Sequence, residues 1–309
     1  MLVIMETFCV FQTFKTKTSN FTKSVIKESD DGDRDKMSDD GDRDKMRDKM
    51  KTKNNKQWFE DENFWINYAP IMFDDARWNE APAVANHVKR IANLSDGDSV
   101  LDAGCGLGRI STELALLNLK TTGVDIIESE LQAARESAEA EGLSIEYINA
   151  DLRSFSRKGQ YNCVINLYTS FGYCDTQEED LLILKNMCDC VKKGGTFMLE
   201  CVSRETAILY WTPGEEFERA GYKVVTHFEV RGAWEGLLSQ WTLYPLNADL
   251  NDHKTKPIVD HVFTQRLYSA AFLRDKILSF GFSDCQVWGD YDGSPYDQNA
   301  KTMLLVAKK

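Results

Sequence analysis

The chain predicts an α/β fold: a doubly wound, mostly parallel sheet with a C-terminal antiparallel strand hairpin and an antiparallel β insertion. Three observations predict it. Between residues 99 and 202, strand-like apolar runs alternate with helical ones, the pattern of a parallel sheet covered on both faces. Between 223 and 268, three strand-like runs follow one another with no long helix between them. The last two runs, 284–291 and 302–307, are also joined without a helix, so they can pair antiparallel.

In chain order, Trp58, Phe59, Phe64, Trp65, Tyr68, Phe73 and Trp78 crowd a short helical stretch. Strands are then expected at 99–103, 121–127, 145–149, 161–167 and 196–202. Helices are expected at 109–117, 128–141 and 177–191. Leu131, Ala134 and Ala138 share one helical face and Gly142 stops that helix. Gly194-Gly195 ends the third helix. The insertion, about 205–268, holds the strands 223–231, 237–246 and 258–268; a helix at 269–280 follows.

With 309 residues, 42% of them hydrophobic, the chain can hold one large α/β domain or two modest ones. The net charge of -12 works against broad binding of nucleic acid or anionic membrane. No apolar run approaches the roughly 20 residues that span a bilayer, and a cytoplasmic location is expected. Residues 30–37, Asp-Asp-Gly-Asp-Arg-Asp-Lys-Met, recur at 39–46 and in shortened form at 47–50. Such low complexity buries no core, so 1–55 is expected to be a disordered extension and 56–309 the folded domain. The extension carries no calcium-loop spacing. Its first 14 residues include Glu6 and no basic start, a poor signal peptide; 15–27 are weakly like an organelle-targeting segment. The 8 Cys form no Cys-x-x-Cys pair and read as buried thiols. With 4 His and no ligand spacing, no metal site is expected.

The sharpest motif is Val100-Leu101-Asp102-Ala103-Gly104-Cys105-Gly106-Leu107-Gly108, where the first strand meets its helix. Glycines let the backbone turn sharply and a ligand approach closely. The following helix offers free N–H groups at its positive end. The third glycine comes two residues after the second, not three as in the dinucleotide fingerprint, and Asp102 is foreign to that fingerprint.

Asp-x-Gly-x-Gly-x-Gly after an apolar strand resembles motif I of the class I S-adenosylmethionine (SAM)-dependent methyltransferases, whose sheet is Rossmann-like. The resemblance runs over 58–309 by element order and is sharpest over 98–200. It implies SAM as cofactor, with Gly104, Cys105, Gly106 and Gly108 packing on its methionine and ribose parts. It implies that Asp125, with Ile126, holds the ribose hydroxyls, and that Asp151, with Leu152, lies near the adenine amino group. Asn166, Leu167 and Tyr168 then line the methyl-donor pocket. Each acid taken singly reads as well as a turn or helix cap; three in order do not.

The resemblance implies methyl transfer to a small-molecule amine or hydroxyl. Family members acting on nucleobases carry Asn/Asp-Pro-Pro-Tyr after the fourth strand, where this chain has Asn166-Leu167-Tyr168-Thr169. Alignment alone supplies roughly 7–11 kcal/mol, so a dedicated catalytic residue is not required. His261, Arg266 and Tyr168 are weak candidates: His261 as a base or, preferably, a core histidine; Arg266 for a substrate carboxylate; Tyr168, with Phe171 and Tyr173, as an aromatic face for the sulfonium. Trp211, Trp234, Trp241, Tyr244 and Tyr268 are candidates to line the cap. The segment Asp290, Asp292 through Tyr296 reads as a closing loop or an ordinary polar turn. The alternatives are a non-catalytic SAM-binding module, an NAD(P)-dependent oxidoreductase, and aminopropyl transfer, which wants an Asp where this chain has Asn166.

Overall fold

The computed structural model describes residues 57–252 and 254–309; the extension expected over 1–55 lies outside the described residues. A 3-10 turn, Trp58–Glu60, leads into helices α1 (Glu62–Met72) and α2 (Asp75–Ala92). Next come β1 (Ser99–Ala103), α3 (Arg109–Leu116), β2 (Lys120–Asp125), α4 (Glu128–Ala140) and β3 (Glu146–Asn149). They are followed by β4 (Tyr161–Asn166), α5 (Gln177–Cys190) and β5 (Val191–Cys201). A short helix, α6 (Arg204–Leu209), opens the insertion, which continues as β6 (Glu216–Arg219), β7 (Tyr222–Arg231), β8 (Gly236–Pro245) and β9 (Val259–Arg266). Helix α7 (Ala270–Ser279) and strands β10 (Asp284–Trp288) and β11 (Met303–Lys308) close the chain.

The main sheet has the order β10-β11-β5-β4-β1-β2-β3. Its first five strands in sequence pair parallel. Strand β11 pairs antiparallel with β5, and β10 antiparallel with β11. This is the predicted fold class. The inserted strands form a second, antiparallel sheet in the order β6-β7-β8-β9. Strand order reverses between β1 and β4, and ligands of open α/β sheets bind at such a reversal, beyond the carboxyl ends of the strands.

The elements follow from local chemistry. Val100, Leu101 and Ala103 of β1 and Cys163, Val164 and Ile165 of β4 are fully buried, as expected of strands covered on both faces. Helix α4 buries Leu131, Ala134 and Ala138. Helix α5 starts with a capping box between Thr176 and Glu179. Phe64, Tyr68 and Ile71 of α1 pack with Phe228, Trp241 and Phe263 of the inserted sheet in a core of their own.

Three expectations were incomplete. The aromatic N-terminal stretch is two helices, the second of 18 residues. The insertion holds a fourth strand, β6, whose Glu-Phe-Glu-Arg has one apolar residue and so gives no alternation to read. Helix α5 stops at Cys190 and β5 begins at Val191, ahead of the two glycines, because Val191 pairs with Tyr161 across a register shift.

Gly108 caps α3 with φ +72°, and a Cβ there would run into the Tyr147 hydroxyl and, at 2.8 Å, the methyl of Ala134. A non-glycine residue in this conformation costs about 1–3 kcal/mol before the clash is counted. Gly108→Ala is therefore expected to destabilise by at least that much, read as a lower urea midpoint with an unchanged m-value.

Candidate active site

The turn after β1 is clamped from both neighbouring strands. Gly104 N–H and Cys105 N–H donate to the Val124 carbonyl at 2.7 and 3.1 Å. Gly106 N–H donates to Asp125 Oδ2 at 2.8 Å, and Asp125 Oδ1 accepts from Ile127 N–H at 3.0 Å. From the β4 side, Asn166 Nδ2 donates to the Ala103 carbonyl at 2.6 Å. Gly104 and Gly106 adopt φ +76° and +51°, which glycine takes without strain. A Cβ on Gly104 would meet Ser170 Cβ at 3.0 Å.

This turn forms the floor of a cleft at the strand tips. Asp102, Gly104, Cys105, Gly106, Asp125, Ile126, Asp151, Leu152, Leu167 and Tyr168 all line it. The three acids thus face one cleft. Gly108, Asn166, His261 and Arg266 do not line it. Gly108 and Asn166 act from behind, the first packing α3 on β3, the second bracing the turn.

Asp102 is buried, and Ser111 Oγ donates to its Oδ2 at 2.7 Å. Burial pushes its carboxyl up to about 6. Burial also raises Asp125, opposed by the backbone N–H groups of Ile127 and Gly106. Asp151 accepts from Arg153 Nε and from Arg153 N–H, each at 2.7 Å. Cys105 and the other cysteines among the described residues are free and buried, and burial holds the Cys105 thiol well above its ordinary value. Among the described residues, no group of His, Cys, Asp or Glu side chains suits a metal ion.

Arginines guard one end of the cleft. Arg77 and Arg109 both line it and are 8% and 5% exposed. Arg77 Nη1 donates to Glu80 Oε1 at 2.7 Å, and Arg109 lies over the Tyr168 ring at 4.2 Å. The Tyr168 hydroxyl donates to the same Glu80 oxygen at 3.0 Å, and Tyr168 N–H donates to Glu200 at 3.1 Å. Tyr168 and Thr169 both have positive φ, +54° and +65°, backbone strain of the kind stored at functional sites. Glu200 holds this bend, also accepting from Tyr291 at 2.9 Å and Thr302 at 3.0 Å. Sequence reading missed these arginines. The signal was present: Arg109 places a cation at the positive end of α3, against the helix dipole.

Aromatic rings also line the cleft: Trp58, Phe59, Trp65, Tyr68, Phe73, Tyr173 and Phe263. The aromatic candidates of the insertion are placed elsewhere. Trp241 is buried in the second core with Tyr68 edge-on to it, and Trp211 is exposed. Phe171 packs on Tyr268 rather than in the cleft. Asp290 pairs with Lys301 at 2.8 Å and Asp292 binds Ser294 N–H at 2.8 Å, so this segment is an internally bonded turn outside the cleft lining.

Packing engages two of the weak candidates elsewhere. His261 is half-buried and stacks on Phe64 at 4.0 Å, and burial pushes its imidazole down to about 4. Arg266 is an ion-pair partner of the fully buried Asp180, and it also donates to the carbonyls of Cys174 and Asp175 at 3.3 and 3.1 Å. Asp180 further accepts from Tyr268 at 2.9 Å and from Cys174 N–H at 3.0 Å. Arg266 is thus committed to a buried carboxylate rather than free for a substrate. Removing one member of a buried pair costs about 3–5 kcal/mol. Burial already raises Asp180, and losing the cation raises it further. A carboxyl whose folded value is raised loses stability as pH climbs above its unfolded value. Arg266→Met is therefore expected to destabilise by about 3 kcal/mol at neutral pH and by less near pH 4, checked by urea unfolding across pH.

The methyltransferase-domain family matches residues 100–195. A ubiquinone biosynthesis O-methyltransferase of Coxiella burnetii is 29% identical over 146 residues, 47% of this chain and 61% of the relative. The chain thus spans about three fifths of the length of that curated relative. A SAM-dependent methyltransferase structure from Clostridium acetobutylicum superposes with a TM-score of 0.63 at 14% identity, covering 80% of this chain and 97% of the other. The sugar N-methyltransferase KedS8 of Streptoalloteichus gives 0.56 at 17% identity, covering 80% and 92%. The match sets aside the NAD(P)-dependent alternative. A glycine turn clamped by Asp125 and a sheet ending in the β10–β11 hairpin agree with the match: residues 100–195 form a methyltransferase domain, on a fold shared with SAM-dependent methyltransferases.

Proposed function

We propose that the protein transfers the methyl group of SAM to an amine or hydroxyl of a small molecule with an apolar body. The observation that carries this reading is one continuous cleft, lined both by the clamped glycine turn with its three acids and by a set of aromatic rings. The fit to the cofactor rests on this chain's own groups. The turn leaves no Cβ above Gly104 and Gly106, Asp125 presents a carboxylate suited to a vicinal diol, and Arg77 and Arg109 present guanidinium groups suited to a carboxylate. Asp102 offers a second anionic group, suited to an ammonium.

Bound SAM supplies an electrophilic methyl group on a sulfonium centre. The residues then have two tasks. Trp58, Trp65, Tyr68 and Tyr173 exclude water and hold the acceptor by apolar contact, with their ring faces favourable to a cation. Tyr168 and Thr169, locked by Glu200, fix the floor against which the acceptor is aligned. No histidine or lysine occurs among the described residues lining the cleft, so the acceptor's proton leaves to solvent or to a lining carboxylate, which is feasible for an ammonium and not for an unactivated hydroxyl. That favours amines over unactivated alcohols. The ubiquinone O-methyltransferase and sugar N-methyltransferase relatives are consistent with a small-molecule acceptor. Absence of a helix long and apolar enough to cross a membrane, among the described residues, fits the same picture.

The test is a methyl-transfer assay with labelled SAM against panels of apolar amines and hydroxyls, with mass identification of the product. Transfer to amines at the highest rate is expected. Binding of NADH in place of SAM, or SAM binding with no transfer to either panel, would overturn the reading. Asp125→Asn is expected to weaken SAM binding about tenfold to a hundredfold, the worth of hydrogen bonds to a charged group, measured by calorimetry.

A further inference from the structure

Glu130 is a buried carboxyl with an uncommitted oxygen. It stands in the first turn of α4 and is 7% exposed. Its Oε1 has no hydrogen-bond partner. Its Oε2 lies 3.2 Å from where a Cβ on Gly106 would sit, directly behind the glycine turn. The side chain lines the same cleft as Asp125 and Ile127. An oxygen buried without a partner is a standing cost to the fold, and its position on the cleft wall points to a ligand that relieves it.

We propose that Glu130, as the neutral acid, donates a hydrogen bond to a ribose hydroxyl oxygen of the cofactor while the Asp125 carboxylate accepts from the hydroxyl hydrogens. This rests on the SAM reading above. A hydroxyl is both donor and acceptor. Each Asp125 oxygen already holds one backbone N–H and keeps a lone pair for an O–H. It offers nothing to the hydroxyl oxygens. A second carboxylate would not either, and would add like-charge repulsion. A protonated acid supplies the missing donor.

The surroundings keep that proton in place. Burial, then the Asp125 charge, pushes the Glu130 carboxyl up to about 8. Asp102 lies lower, at about 6, and burial holds the Cys105 thiol and Tyr147 phenol well above their ordinary values. On its own helix, Glu128 and Arg135 pair with each other at 2.8 Å toward solvent. Ionisation of Glu130 removes the donor and adds a charge beside Asp125, so nucleoside affinity falls as pH rises through this range.

The experiment is calorimetry on the full chain with 5′-methylthioadenosine, a nucleoside thioether without the amine and carboxylate of SAM. Wild-type affinity is expected to fall about tenfold between pH 7 and 9, following the protonated fraction of one group. Glu130→Gln keeps an N–H donor that cannot ionise, so its affinity is expected to be flat over that range and about tenfold above wild type at pH 9. Flat wild-type affinity, or a fall that survives in Glu130→Gln, overturns the role of Glu130 and leaves the SAM reading intact. No nucleoside binding at either pH overturns both.

Discussion

The hydrogen bond from Gly106 N–H to the Asp125 carboxylate, 2.8 Å long, is the contact on which the architecture of the cleft turns. A glycine-rich turn has no side chains with which to hold its own shape, and each glycine brings a large entropic cost of ordering. Here order comes from outside. Strand β2 receives the turn's N–H groups through Val124 and Asp125, while β4 reaches across from the other side with the Asn166 amide. The turn is fixed because two strands that neighbour β1 in space, though not in sequence, reach its end together. Parallel pairing of β1 with both is therefore a precondition for the ligand surface.

A second consequence of this geometry is a dense traffic of buried charge. Arg77, Arg109, Glu200, Asp102, Asp180 and Glu130 all sit buried within or just behind the cleft wall, with the half-exposed Glu80 among them. Isolated burial of any of them would be prohibitive. They are tolerated because most are answered: Glu80 by Arg77 and Tyr168, Glu200 by three donors, Asp180 by Arg266, Tyr268 and a backbone N–H. The exceptions are informative. Glu130 is answered by nothing equivalent, and Tyr168 and Thr169 bend the backbone into a region that costs strain. Departures from consistency of this kind concentrate where proteins meet their ligands.

Much of this was legible in the sequence, for definite reasons. Strands covered on both faces announce themselves as apolar runs, and acids at their ends fall on the cleft because the pleat and the parallel topology leave them nowhere else to go. Asp102, Asp125 and Asp151 were readable in that way. Helix α2 was not, since Pro82 inside it removes an N–H and speaks for a break. His261 and Arg266 could not be assigned from alternation along β9, which says which residues share a face but not what packs on that face. Phe64 on His261 and Asp180 on Arg266 come from elements 197 and 86 residues earlier. Glu130 was different again. It sits four and eight residues before Ala134 and Ala138, on the apolar stripe of its own helix, so a carboxylate at a core position was visible in the pattern.

The inserted sheet leaves and rejoins the main body at nearly one point. Ser203, just past β5, bridges directly to Tyr268, just before α7, and Arg204 N–H donates to the Tyr268 carbonyl at 2.9 Å. An excursion of some sixty residues whose two ends are already fastened together imposes no reach on the chain that follows. Lengthening or trimming it changes closure entropy only logarithmically. The arrangement is that of a drawer in a fixed cabinet: the main sheet keeps its clamped turn, and the inserted sheet can change in length without recutting the frame.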